Sequence, residues 1–257
     1  ADLAGVESLD DPRLAMAALW AVYEQQKSAF AELPDLQQVA QTMDFPLINV
    51  LAQMEFRGIK IDASKLEKMN KSLAQEIAAV QQNIYDMVGY EFNVASPAQL
   101  ASALFDKLLL PTAGIKKGKT GYSTNQKELD KLRGQHPIIE LVERFRELSK
   151  LQNTYVAALP EQTDTNGYIH TTFNQDATAT GRLSSTNPNL QNIPIRTELG
   201  RQIRDAFVPA PGNVFVNADY SQFELRLAAV MAGEKQMIED FNTDVDIHAK
   251  TAAEVYN

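Results

Sequence analysis

The sequence contains no cysteine. Disulfides and thiolate metal sites are therefore excluded. A reducing compartment fits that absence. Histidine is nearly as scarce: His136, His170 and His248 stand far apart. They offer no metal-ligand spacing and no Ser-His-Asp pattern, and no Gly-rich phosphate loop accompanies them. No apolar run approaches the length of a membrane span. No secretory leader is recognisable, and the sequence starts at Ala1 rather than Met, as expected of a processed or excised chain. A positive excess is missing too: net charge is −9, from 24 basic and 33 acidic residues. Taken alone, that total speaks against a nucleic-acid partner.

What is present is distributed unevenly. Residues 1–60 carry 4 basic and 9 acidic side chains, residues 61–160 carry 13 and 11, and residues 161–257 carry 7 and 13. The chain is acidic at its ends and locally basic in the middle. Within residues 181–210, Arg182, Arg196, Arg201 and Arg204 face only Glu198 and Asp205. Screening limits the reach of distant charge, so a local basic surface can still hold phosphates. The length of 257 residues suffices for one large domain or two ordinary ones.

Periodicity places the elements. Leu14, Ala17, Ala18, Ala21 and Val22 recur at helical spacing ahead of Pro34. A second helix is expected from Pro46 to Phe56, with Asp44 as N-cap and Gly58 as stop. "RGIKID" is a short extended piece. Leu66, Met69, Leu73, Ile77, Val80, Ile84 and Met87 form a heptad seam on a long helix stopped by Gly89. An antiparallel partner is expected from Pro137 to Leu159, with Val142, Phe145, Leu148, Gln152 and Tyr155 as its seam. Between them Ser96-Pro97 starts a short helix, and "AGIKKGKTGYSTN" forms a basic loop at the tip of the hairpin. Further on, "GYIHTTFNQ" and "IRDAFVPAPG" suggest strands. "TATGRLSSTNPNLQNIP" is dense in turn formers. "NVFVNAD" lacks alternation, which predicts a strand buried on both faces. A helix from Ser221, an acidic loop and the helix "IHAKTAAEVYN" follow. The fold class is α+β: an N-terminal helical segment, a long helical hairpin and a partial antiparallel sheet.

Asp219 ends the apolar run just before a helix. A carboxylate there suits a hard cation held by oxygen and substrate phosphates. The simpler role is a helix cap, by Asp219 or Ser221. Glu224 lies one turn into the helix, where a negative charge is favourable in any case. Arg182, Gln191 and Asn192 sit in a loop rich in donors, of the kind that reads the minor groove or only caps itself. Arg146, Lys150 and Asn153 make a polar stripe off the seam, and Lys116, Lys117 and Lys119 a basic tip; solvation alone would explain both.

These pieces occur together and in order. "TATGRLSSTNPNLQNIPIR", "RQIRDAF" and "NADYSQFELR" resemble the polymerase domain of family A (DNA polymerase I–type) DNA polymerases. The resemblance extends through "MEFRGIKID", "EFNVASPAQL", "FRELSKLQNTYVAALP", "HTTFNQDATATGR" and "DIHAKTAAEVYN". One departure is Phe223, where the family more often has Ile.

The resemblance implies a DNA-directed DNA polymerase of replication and repair, transferring nucleotides from dNTPs to a primer 3′ end by a two-metal mechanism. It implies that residues 1–44 end a preceding exonuclease-like domain, 45–160 form the thumb, and 161–257 the first half of the palm with the start of the fingers. Asn93, Ser96, Arg146, Lys150 and Asn153 would lie near backbone phosphates of primer–template DNA. Arg182, Gln191 and Asn192 would meet the minor groove. Asp219 and the Tyr220 carbonyl would hold two Mg²⁺ ions, Glu224 would act as steric gate, and Arg226 would support the site. The second metal-binding aspartate and the fingers are expected from a later segment or a second polypeptide, so the chain alone is expected to be inactive. A cytoplasmic or nucleoid-associated setting in a bacterium or phage-infected cell follows, with an organellar origin left open. A non-catalytic primer–template-binding module, one half of a split polymerase and an RNA-directed enzyme of similar fold remain as alternatives.

Overall fold

The computed structural model describes residues 11–119 and 121–256. The chain divides into two compact units, Ala1–Gly212 and Asn213–Asn257. Among the described residues, no helix is long and apolar enough to cross a membrane.

The first unit opens with helices α1 (Pro12–Ala31), α2 (Pro34–Val39) and α3 (Phe45–Arg57). Asp11 caps α1 by accepting from the Arg13 N–H, and Pro12 occupies the first helical position. Of the apolar stripe on α1 only Ala18 is buried, while Leu14 and Trp20 stay exposed. Asp44 is not a cap. A π-helical turn over Ala40–Asp44 joins α2 to α3, so Asp44 has helical backbone and caps nothing. The stop at Gly58 holds: it has φ 64° and returns its N–H to Met54 O. A Cβ there would sit 2.6 Å from Ile169 O, so only glycine fits this close approach.

The unit is organised by α4 (Ala63–Val88), capped by Asp62 and ended by Gly89 in the left-handed region. Leu66, Leu73, Val80 and Ile84 are buried, with Met69 and Ile77 packed beside them. Met87 is instead 39% exposed, and Val88 takes the buried place. An α-helix turns 3.6 residues, so a strict heptad drifts off the seam by its end. The partner is α7 (Ile138–Leu151), continued by a π-helical turn over Gln152–Val156 and by α8 (Ala158–Glu161). Arg144 bonds Glu76 at 2.6 Å, and Gln152 bonds Asn70 at 2.8 Å. One number rises as the other falls, so the pair is antiparallel. Val142, Leu148 and Leu159 are fully buried between the helices, each contributing roughly 1.5–3 kcal/mol of burial.

At the far end of this pair lie α5 (Pro97–Ala101), strands β2 (Lys117–Gly118) and β3 (Gly121–Tyr122), and α6 (Gln126–Leu129). The basic tip is thus a two-stranded antiparallel hairpin, with Lys117 opposite Tyr122. At the near end, β1 (Ile59–Ile61) is the middle strand of an antiparallel sheet. It is flanked by β4 (Tyr168–Ile169) and β7 (Phe207–Val208). The expected strand "GYIHTTFNQ" is split. β4 joins that sheet, and β5 (Thr172–Asn174) pairs with β6 (Ser184–Thr186) inside the expected loop. "IRDAF" departs further. Helix α9 (Glu198–Asp205) takes up Ile203 to Asp205, because Thr197 caps it through the Gly200 N–H at 3.1 Å.

The second unit contains α10 (Phe223–Ala232), α11 (Lys235–Asn242) and α12 (Ile247–Tyr256) around Ala229, Phe241 and Ile247. The expected acidic loop is largely α11, started by Glu234, which accepts from the Gln236 N–H. Asp240 is buried and takes Lys250 Nζ at 2.6 Å, tying α11 to α12. "NVFVNAD" is not a buried strand. It finds no ladder partner among the described residues, and Val214 and Val216 are 79% and 84% exposed. An apolar run becomes a strand only where neighbouring strands accept its backbone.

His170 joins α3 to the strand region. Its Nδ1–H donates to Glu55 O at 2.7 Å, and Nε2 lies 3.4 Å from Asp164 Oδ2. The Glu55 carbonyl, then the Asp164 carboxylate, raise its pKa above the ordinary 6.5. A raised value means that the fold prefers the imidazolium. The stabilisation is complete below pH 6.5 and is lost as pH rises past it. Denaturant melts of wild type and His170→Gln across about pH 5 to 8 should show a gap that is widest at the acid end. A gap independent of pH would contradict this account.

Candidate functional site

Asp219 precedes α10 without capping it. The cap position is Gln222, whose backbone is left-handed with φ 52° and which makes no side-chain cap bond. The capping roles for Asp219 and Ser221 are therefore set aside. The left-handed turn at Gln222 separates the carboxylate from the helix start. Asp219 is exposed, and it makes no hydrogen bond or ion pair among the described residues. Tyr220 is 82% exposed, its ring 5.6 Å from that of Phe223.

Arg226 organises the turn. Its Nε donates to Ser221 O at 2.9 Å, and its guanidinium lies 4.6 Å from the centre of the Phe241 ring. The backbone N–H of Arg226 returns to Gln222 O. One residue thus closes the first helical turn and holds the carbonyl two positions after Asp219. Glu224 is exposed in the first turn of α10. The Asp219 carboxylate and the backbone carbonyls after it are oxygen donors, the kind that hard cations take. No group of three or more His, Asp or Glu side chains that could hold a metal occurs among the described residues.

In the first unit, the loop after β6 is built around Asn189. Its Oδ1 accepts from the N–H groups of Gln191 and Asn192, at 3.1 and 3.2 Å. Ser185, buried, takes the Leu190 N–H at 3.1 Å. Buried Thr171 donates to Pro188 O at 2.7 Å. Gln191 Nε2 reaches back to Leu183 O at 3.1 Å. Asn192 O accepts from Tyr155 OH at 2.7 Å, which ties the loop to the end of the α7 helix. Gln191 and Asn192 are left exposed on a braced turn, and Arg182 is exposed on the same segment. Sequence reasoning missed Asn189, Ser185 and Tyr155. Only the Asn-Pro-Asn turn chemistry pointed toward the first.

The polar positions of the long helices divide. Lys150 and Asn153 are exposed. Arg146 is not a solvated side chain: it is half-buried and bonded to Thr124. Asn93 and Ser96 have local duties. Asn93 Oδ1 accepts from Ala95 N–H at 3.0 Å, and Ser96 Oγ caps α5 through Gln99 N–H. The structure brings Arg182, Gln191 and Asn192 together in one unit, and Asp219, Tyr220, Glu224 and Arg226 together in the other.

Comparison with known proteins supplies the context. A family model described as DNA polymerase family A matches residues 63–257. DNA polymerase I of Geobacillus stearothermophilus is 45% identical over 256 residues, covering 96% of this chain and 29% of that protein. DNA polymerase I of Bacillus caldotenax is 49% identical over 218 residues, covering 83% of this chain and 24% of that protein. A solved structure of the POL domain of Pol1 from M. smegmatis, in complex with DNA primer-template and dNTP, superposes with a TM-score of 0.82. It is 38% identical, and the match covers 95% of this chain and 43% of that one. The chain thus spans less than a third of the length of these curated relatives. From the family match over 63–257 and these identities, the chain belongs to DNA polymerase family A.

Proposed function

We propose that this chain is the duplex-gripping and metal-binding part of a DNA-directed DNA polymerase. The observation that carries the reading is Asp219: exposed, without a partner among the described residues, and released from capping by the left-handed turn at Gln222. The family membership and the primer-template and dNTP held by the M. smegmatis relative support it. In this reading residues 1–44 end a preceding domain, 45–160 form the thumb, and 161–257 belong to the palm.

The reaction joins the primer 3′ oxygen to the α-phosphorus of a dNTP and releases pyrophosphate. Mg²⁺, when bound, would supply charge neutralisation at the phosphates and a more acidic primer hydroxyl. Asp219 and the Tyr220 carbonyl are the residues that would hold it, with a second carboxylate supplied from outside these 257 residues. Arg226 fixes the turn that carries them. Glu224, one turn further along, would crowd a ribose 2′-hydroxyl and so favour deoxynucleotides. Arg182, Gln191 and Asn192 would follow the minor groove, and Lys150 and Asn153 the backbone phosphates. The braced loop suits that duty, since it presents donors without a further ordering cost. Alone, the chain should bind duplex but not extend a primer.

In the full-length protein, Asp219→Ala should lower primer extension by more than about 100-fold, because even supporting groups around a metal are worth 10–100-fold. Duplex affinity should stay the same. Undiminished extension would sink the assignment of the carboxylate. Glu224→Ala should raise the use of rNTPs relative to dNTPs by about tenfold or more, as loss of a steric exclusion does. An unchanged ratio, measured by single-nucleotide incorporation, would remove the gate role.

A further inference from the structure

The tip hairpin is held at both ends by charged side chains that are not its own. On the way out, the Lys116 N–H donates to Glu128 Oε2 at 3.0 Å. Glu128 is only 4% exposed and also takes Lys131 Nζ at 2.6 Å. Those bonds, the Lys131 one first, hold its pKa below the usual carboxylate range. Lys131 also donates to Gly114 O at 2.7 Å. On the way back, the Arg146 guanidinium grips Thr124 twice. Nη1 donates to the Thr124 carbonyl and Nη2 to its hydroxyl, the latter at 3.1 Å. Thr124 is 3% exposed, and Arg146 is desolvated enough that its pKa is lowered. Between the anchors, Ser123 N–H donates to Lys116 O at 2.8 Å and closes the hairpin. The anchored loop leaves Lys117 and Lys119 exposed at the tip.

Arg146 belongs to the polar stripe that invites a phosphate contact. Its geometry says otherwise. A planar fork that grips one residue through both its carbonyl and its hydroxyl acts as a clamp. We propose that Arg146 is a positioning residue. It holds Thr124 so that the hairpin presents Lys117 and Lys119 to the duplex backbone, and it does not itself meet a phosphate. The contribution of Lys117 and Lys119 to binding rests on the duplex-gripping reading above. The clamp itself does not.

The test uses the full-length protein and the variant Arg146→Lys, which keeps the charge but replaces the planar fork of two nitrogens with a single ammonium. Without DNA, amide exchange over residues 116–125 should speed up about tenfold, the effect of losing one anchoring hydrogen bond. With primer–template, Kd is measured against salt. Lys117→Ala/Lys119→Ala should lower the log–log slope by about 2, for two phosphate contacts. Arg146→Lys should lower it as much, and the triple variant should lose nothing more, since all three act through one element. Unchanged exchange in Arg146→Lys would overturn the clamp. So would a preserved salt slope with fully additive losses in the triple variant, the behaviour of a direct phosphate ligand. If exchange rises while Lys117→Ala/Lys119→Ala leaves affinity unchanged, the clamp stands and it is the duplex-gripping role of the tip that fails.

Discussion

The antiparallel packing of α4 on α7 is the contact on which the first unit depends. It buries Leu66, Leu73, Val142 and Leu148 in one seam, with polar ties at Glu76–Arg144 and Asn70–Gln152 along its edge. The seam does more than supply apolar burial. It fixes α7 as a frame from which two surfaces are held. One flank of α7 carries Arg146, which holds the tip through Thr124. The π-helical turn at its far end carries Tyr155, which holds the Gln191–Asn192 loop through Asn192 O. Two surfaces far apart in sequence thus take their positions from one helix.

The candidate contacts share a physical device. Backbone carbonyls and N–H groups of the loops are satisfied by side chains of the same loop or of a neighbouring element: Asn189 for Gln191 and Asn192, Glu128 for Lys116, Arg226 for Ser221. A loop whose polar backbone is already satisfied has few other shapes to adopt. Its exposed side chains are then presented in one arrangement, which lowers the entropy lost on binding. Asp219 is the opposite case. Its neighbours are fixed, and its carboxylate is left without a partner among the described residues. The proposed cation-binding role would use that contrast.

Much of this was legible from local pattern. The heptad seams of α4 (Met87 apart) and α7, the Ser96 cap and the stops at Gly58 and Gly89 are short-range signals, and the structure keeps them. Where pairing between distant segments decides, local pattern fails. "NVFVNAD" has the composition of a central strand but no ladder to join. "IRDAF" gives way to a helix started three residues upstream of Gly200 by Thr197. Asp44 looked like a cap because Pro46 follows it, but the π-helical turn carries the helix straight through. At the site, Asp219 and Glu224 were visible as residues of a motif. The left-handed turn at Gln222 that removes the capping role was not, because a non-glycine residue seldom takes that conformation. Arg146 was visible as a cation, but its direction was not. A bond across 22 residues depends on how α7 packs, and no spacing rule reports it.

The claim that one helix pair positions both surfaces is open to a single measurement. Leu148 is fully buried in the seam, and Leu148→Ala should cost about 2–5 kcal/mol. Native-state hydrogen exchange, in mild denaturant, then compares this variant with wild type. The account predicts that the loss of protection seen in α4 and α7 also appears at the Ser123 amide of the tip and at the Gln191 and Asn192 amides of the loop. A loss confined to α4 and α7, with those three amides protected as in wild type, would contradict it.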